Sequence, residues 1–113
     1  MKSKFFLLAI VIALVCICAV SYADNDYQKT LAEAARRNIT LISEQAAKDI
    51  AAKKIADSNI IFKEIDLDNE ADDYPNADNF RPVYSLECIA DGQEYDFDID
   101  AVTGGILKFK LDH

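Results

Sequence analysis

Few residues in this chain can do chemistry. His113 is the single histidine of the 113 residues, and it stands last. No second histidine can join it in an ordinary zinc site, and no Ser–His or Cys–His pair has a reason to be positioned. Cys88 falls on the inward register of a strand pattern. It reads as a buried small hydrophobe, with an intermolecular disulfide as the other use. Glu64, Asp66, Asp68, Glu70, Asp72, Asp73 and Asp78 form an acidic stretch that invites a calcium reading. An EF-hand loop counted from Asp66 needs glycine at its sixth position and a carboxylate at its twelfth, where the chain has Ala71 and Ala77. Counting from Asp96 meets Ala101 and Leu107 instead. Both patterns break, so a solvated acidic loop is expected, with an irregular cation site in 66–78 as the alternative.

Asp66 and Asp68 resemble a general acid–base pair only in type. Such a pair needs a dry pocket to raise one pKa, and two aspartates beside an acidic loop have no visible means of desolvation. Gly104-Gly105 is turn chemistry without a phosphate-binding loop around it. Tyr74 and Phe80, with Pro75, are the apolar exceptions in a loop of Asn, Asp, Glu and Ala. They either fold back over the sheet edge to protect it or anchor a protein partner.

The elements that would position these groups begin after residue 23. Lys2 and Lys4 precede an unbroken apolar run from Phe5 to Val20, and Ser21-Tyr22-Ala23 supplies small residues at −3 and −1. That order is the secretory signal-peptide pattern, with cleavage expected between Ala23 and Asp24. An uncleaved anchor is the alternative, although the run is short against the roughly 20 residues of a membrane span. Cleavage would move the net charge from −8 to −10 and leave Cys88 as the one cysteine. An intramolecular disulfide is then excluded, so the fold rests on its core. Nucleic acid and anionic membrane surfaces are excluded as partners on charge.

In the segment 24–41, Thr30-Leu31-Ala32-Glu33 reads as a capping box opening a short helix to about Arg37. Ser43 is a second N-cap. From Glu44 to about Ala56, Ala46, Ala47, Ile50, Ala51 and Ile55 recur at helical spacing. This mostly alanine stripe would let a helix axis approach a sheet closely. The period then changes to two, predicting strands over 59–68, 81–90, 93–100 and 105–111. Asp91-Gly92 predicts a type I′ hairpin and Thr103-Gly104 a second turn. Placing Asp96 opposite Lys108 and Glu94 opposite Lys110 pairs opposite charges across one face. Tyr95, Phe97 and Ile99, with Tyr84, Leu86, Cys88, Ile61, Ile65 and Leu67, would form the apolar face. Ile60, Phe62, Val83 and Ile89 would share the back face, either as a contact patch or under the lead-in helix.

The resulting expectation is an α+β fold, a two-layer sandwich of a helix at about 43–56 on a four-stranded antiparallel sheet, preceded by a short helix. Ile42-Ser43-Glu44-Gln45-Ala46, the strand KEIDLD and RPVYSLECIADGQEYDFDIDAVTGGILKFK resemble the PepSY domain over residues 42–112. Its hallmarks are an Ile-Ser-type helix cap and an Asp-Ala-x-Thr-Gly-x-Ile-Leu turn, here Asp100 to Leu107. The resemblance implies a secreted or periplasmic binding module that restrains or regulates a peptidase by surface docking. It brings no catalytic residues to transfer, and the residues themselves assign no cofactor and no metal ligand. Cys88, where a larger apolar residue is usual, and the lengthened connection 69–80 depart from the family pattern. Tyr74 and Phe80 are the candidate partner contacts. A small-ligand or calcium sensor using 66–78 is the alternative function.

Overall fold

The computed structural model describes residues 25–56 and 59–112; the segment expected to be a signal peptide and His113 lie outside them. Helix α1 (Asn25–Arg36) carries Asp26 in its first turn and Arg36 in its last, each opposite in sign to the end of the helix dipole it faces. It starts five residues before the expected capping box. Thr30 is instead a buried mid-helix residue whose hydroxyl donates to the Asp26 carbonyl at 2.7 Å. Thr30 and Ala34, four apart, share the buried face. Asn38 then adopts φ 57° and turns the chain out of the helix.

Helix α2 (Glu44–Ile55) opens as its cap predicts. Ser43 accepts a hydrogen bond from the Ala46 N–H at 3.0 Å. Ala56, at φ 60°, ends it in the left-handed conformation. The side chains of Ala47 and Ala51 have no solvent exposure, so the alanine stripe is the surface that meets the sheet.

Strands β1 (Ile60–Asn69), β2 (Pro82–Ala90), β3 (Gln93–Asp100) and β4 (Ile106–Asp112) form an antiparallel sheet in sequential order. Asp91 at φ 52° and Gly92 at φ 75° supply both positive dihedrals of the β2–β3 turn. The core gathers Leu67, Tyr84, Leu86, Cys88, Phe97 and Ile99 beneath the two alanines. Both helices lie on this one face, giving the two-layer α+β sandwich. Tyr27 of α1 sets its ring edge on Tyr84 at 6.5 Å, so the lead-in helix covers the core face and not the back of the sheet.

Two registers differ from strict alternation. In β1 the pairing with β2 shifts between Phe62 and Glu64, leaving Lys63 as an extra residue. This bulge puts Ile60 and Phe62 on the core face with Ile65 and Leu67, and turns Ile61 outward at 67% exposure. The back-face patch expected from Ile60 and Phe62 is therefore absent. In the β3–β4 hairpin, Asp98 lies opposite Lys108 and Asp96 opposite Lys110, two positions along β3 from the expected pairing. The cause is a wider turn: Asp100 N–H bonds to the Gly105 carbonyl at 2.8 Å, and the register shifts between Asp98 and Ile99.

The turn itself is anchored from within. The buried Asp100 carboxylate accepts hydrogen bonds from the N–H groups of Val102 at 2.8 Å and Thr103 at 3.0 Å. Arg81 Nε lies 2.8 Å from its other oxygen as an ion pair, with the N–H directed off the line of an aligned bond. Ala101 donates to the Pro82 carbonyl at 2.9 Å and accepts from Ile42 N–H at 2.7 Å. The Ile42 carbonyl in turn accepts from the Tyr84 hydroxyl at 2.8 Å. Gly104, at φ 81°, leaves room where a Cβ would stand 3.2 Å from Ile50 Cδ1.

Substituting Ala51→Leu should destabilise the protein by about 1–3 kcal/mol, because the added volume must separate α2 from the sheet. Lys53→Leu, on the exposed side of the same helix, should leave stability nearly unchanged. Chemical denaturation of the two variants checks the contrast, and equal losses would contradict the alanine-mediated packing.

Candidate functional site

The connection between β1 and β2 is an ordered loop held by two asparagines. Asn69 Oδ1 accepts from the N–H groups of Ala71 at 3.2 Å and Arg81 at 2.8 Å, drawing the two ends of the loop together. Asn76 brackets Phe80, accepting from its N–H at 3.1 Å and donating to its carbonyl at 2.8 Å. Sequence reasoning singled out the aromatics here and passed over both asparagines. Their signal was residue type: a short amide side chain bonds nearby backbone and so organises turns.

The two aromatics have different surroundings. Phe80 is buried, at 4% exposure, with the Arg37 guanidinium 4.8 Å from its ring centroid. Arg37 also donates to the Asp78 carbonyl at 3.3 Å and pairs with Glu33, so the end of α1 clasps the returning loop. Tyr74 is partly exposed, and its hydroxyl donates to Asp98 Oδ2 at 2.7 Å. Asp98 also accepts from the Ser85 hydroxyl at 2.9 Å, and Lys108 Nζ stands 4.0 Å away. The loop is thus fastened at one end to α1 and at the other to the polar face of the sheet.

That face holds a shallow concavity of about 290 Å³ bordered by Glu64, Asp66, Glu70, Glu87, Asp96 and Asp98. Lys63 offsets part of its charge, with Nζ 3.3 Å from Glu94 and 3.8 Å from Glu87. The remaining crowding shows in proton affinities. Burial, a hydrogen bond with Asp73 and the charge of Asp68 push the Glu70 carboxyl up to about 7. The Asp66 charge raises Glu64, and burial with the Asp98 hydrogen bond pushes Tyr74 up to about 12.

Among the described residues, no three His, Cys, Asp or Glu side chains are arranged to hold a metal ion. The carboxylates of 66–78 repel one another without converging on a common point, so the calcium alternative finds no support. Cys88 is a free, fully buried thiol whose pKa is raised by that burial, as its strand register predicts. No helix among the described residues is long and apolar enough to cross a membrane.

A group whose folded-state pKa lies above its ordinary value favours folding when protonated. The Glu70 contribution is therefore fully present below about 4.5 and is lost as pH rises through about 7. Glu70→Gln should raise Tm at pH 8, with the difference from wild type closing as pH falls towards 4.5. A difference independent of pH, followed by thermal melts, would contradict the crowding.

Comparison with known proteins agrees with the hallmark turn. The family model described as peptidase propeptide and YPEB domain matches residues 41–110, more than half of the chain. No curated protein and no solved structure matches it. The match begins just before the Ile42-Ser43 cap and ends in β4, so it spans α2, the whole turn network and the sheet. The chain therefore belongs to the PepSY family of peptidase propeptide and YPEB domains.

Proposed function

We propose that the protein is a non-catalytic extracytoplasmic module that restrains or regulates a peptidase by docking on its surface. Family membership supports a propeptide-like or regulatory role. The observation that carries the non-catalytic reading is where the hallmark residues are spent. Asp100 organises a turn, Ala101 and Ile42 bond to each other through the backbone, and Ser43 caps α2. The Asp100 carboxylate borders a surface concavity, but both of its oxygens are engaged within the fold, by the Val102 and Thr103 N–H groups and by Arg81.

Docking uses the 69–80 loop. Tyr74 supplies a partly exposed aromatic beside the polar face, while Phe80, buried under Arg37, holds the loop in the shape that presents it. A loop ordered before binding loses little entropy on contact, which is how rigid inhibitors gain affinity. The predicted signal peptide places the protein outside the cytoplasm, where such a partner would be met.

The purified protein should slow at least one member of a panel of thermolysin-type metallopeptidases and serine peptidases, and co-elute with it on gel filtration. Tyr74→Ala should weaken that complex about tenfold or more, as loss of an aromatic anchor of at least 1.4 kcal/mol does, without changing Tm by more than a few degrees. Unchanged rates and separate elution across the whole panel would overturn the reading.

A further inference from the structure

The two edges of the sheet are built differently. β1 is interrupted by its bulge at Lys63, flanked by α1 and followed by the stitched loop, all of which discourage another strand from adding there. β4 carries one bulge, at Leu107, and past it no helix among the described residues packs along its outer side. It pairs regularly with β3 from Lys108 to Asp112, and its core-side residues overhang the helical layer. Ile106, Phe109 and Leu111 are 38%, 40% and 42% exposed, although Phe109 stacks on Tyr95 with centroids 5.7 Å apart.

Hydrogen-bond phase shows which backbone groups that edge offers. Asp100 N–H points to β4, bonding Gly105, whereas Ala101 N–H points to β2, bonding Pro82. Antiparallel ladders alternate, so Asp98 and Asp96 bond to the backbone of Lys108 and Lys110. The N–H and C=O groups of Phe109 and Leu111 consequently point away from the sheet. The exposed apolar side chains and the outward backbone groups belong to the same residues.

Charge on this edge also differs from the rest of a chain of net charge −8. Lys108 and Lys110 line the polar side of β4, and Lys54 reaches over its other side, 5.4 Å from the Phe109 ring centroid. A second copy adding through its own β4 in the register centred on Phe109 would set Lys108 against Lys110 on both sides of the new pair, and only a pairing slid towards Asp112 would relieve this. An extended segment alternating apolar with acidic residues fits both sides at once. Its apolar side chains would continue the layer of Phe109 and Leu111, and its carboxylates would face Lys108 and Lys110.

We propose that β4 is a docking edge that binds an extended, alternately acidic and apolar segment of the partner protein by β-strand addition. This rests on the docking role proposed above and adds to the contact of the 69–80 loop a second one, at the β4 edge, by which the partner is held. The probe is a synthetic peptide of alternating glutamate and valine, about eight residues long to match a strand. A peptide of alternating lysine and valine is the control. Added to the isotopically labelled protein, the acidic peptide should shift the amide signals of Phe109 and Leu111 and slow their hydrogen exchange at least tenfold. The basic peptide should do neither.

Leu111→Pro removes one outward donor without breaking the β3–β4 ladder, so it should retain the fold and lose the peptide response. Phe109→Thr, which keeps every donor, should weaken the response while leaving the β2–β3 amides unmoved. Shifts confined to other elements, or an equal response to both peptides, would overturn the proposal. Protection of the same amides without peptide also overturns it, assigning the edge to a second copy if it depends on concentration and to the chain's own residues if it does not. A peptidase bound undiminished by Leu111→Pro would overturn the docking edge while leaving the regulatory reading intact; a peptide response with no peptidase bound would do the reverse.

Discussion

The position of α2 depends on a backbone junction between three elements. Ala101 joins the end of β3 to the start of β2 through its N–H and to the residue before the Ser43 cap through its carbonyl. Ile42 is held at both of its backbone groups, by Ala101 and by the Tyr84 hydroxyl. Burying these groups unpaired would cost about 1–3 kcal/mol each, so the turn and the helix cap cannot be displaced independently. The Asp100 carboxylate keeps the junction in shape, and its ion pair with Arg81 balances a charge that has been taken out of water. The hallmark turn is accordingly a structural joint, in which Asp100, Ala101 and Gly104 each serve the geometry of the turn or its contact with α2.

With α2 located by that joint, alanine decides how close it comes. Ala47 and Ala51 let the helix rest on Leu86, Cys88 and Phe97, and the small Cys88 side chain suits the same close approach. The thin core of a chain this short is extended at its flank by Tyr27, Leu31 and Tyr84 under α1. The helices therefore spend their apolar surface on one side of the sheet. The opposite side is left largely to carboxylates, and there Lys63, Lys108 and Lys110 stand against a larger number of acids, among them Glu64, Asp66, Glu87, Glu94, Asp96 and Asp98, which keeps it hydrated and crowded with like charge.

Much of this was written locally. Ser43 before an amphipathic run, Asp91-Gly92 between alternating segments, and Gly104 in a positive-φ turn all act through neighbours in sequence, so the cap, the hairpin and the strands were legible. The inward register of Cys88, Phe97 and Ile99 followed from alternation alone. The bulge at Lys63 was not legible, because IIFKEIDLD reads as alternating in either phase at its start and only pairing with β2 chooses between them. Thr30-x-x-Glu33 carried a cap signal that tertiary packing overrode: burying Tyr27 and Thr30 against the core rewards extending α1 by another turn and more. The loop aromatics were visible as types, but their division into a buried Phe80 and a partly exposed Tyr74 came from α1 and β3, both distant in sequence.

The amino-acid order by itself determined the kinds of element, their succession, the acidic balance and the family. These depend on periodicity, turn chemistry and charge, which act over a few residues or over composition as a whole. Tertiary structure alone decided which face α1 covers, where β1 changes phase, how far the β3–β4 hairpin slides and which sheet edge the described residues leave uncovered. Each of those outcomes is a competition between long-range pairings of similar local merit, settled by burial and hydrogen-bond satisfaction that no short stretch of chain contains.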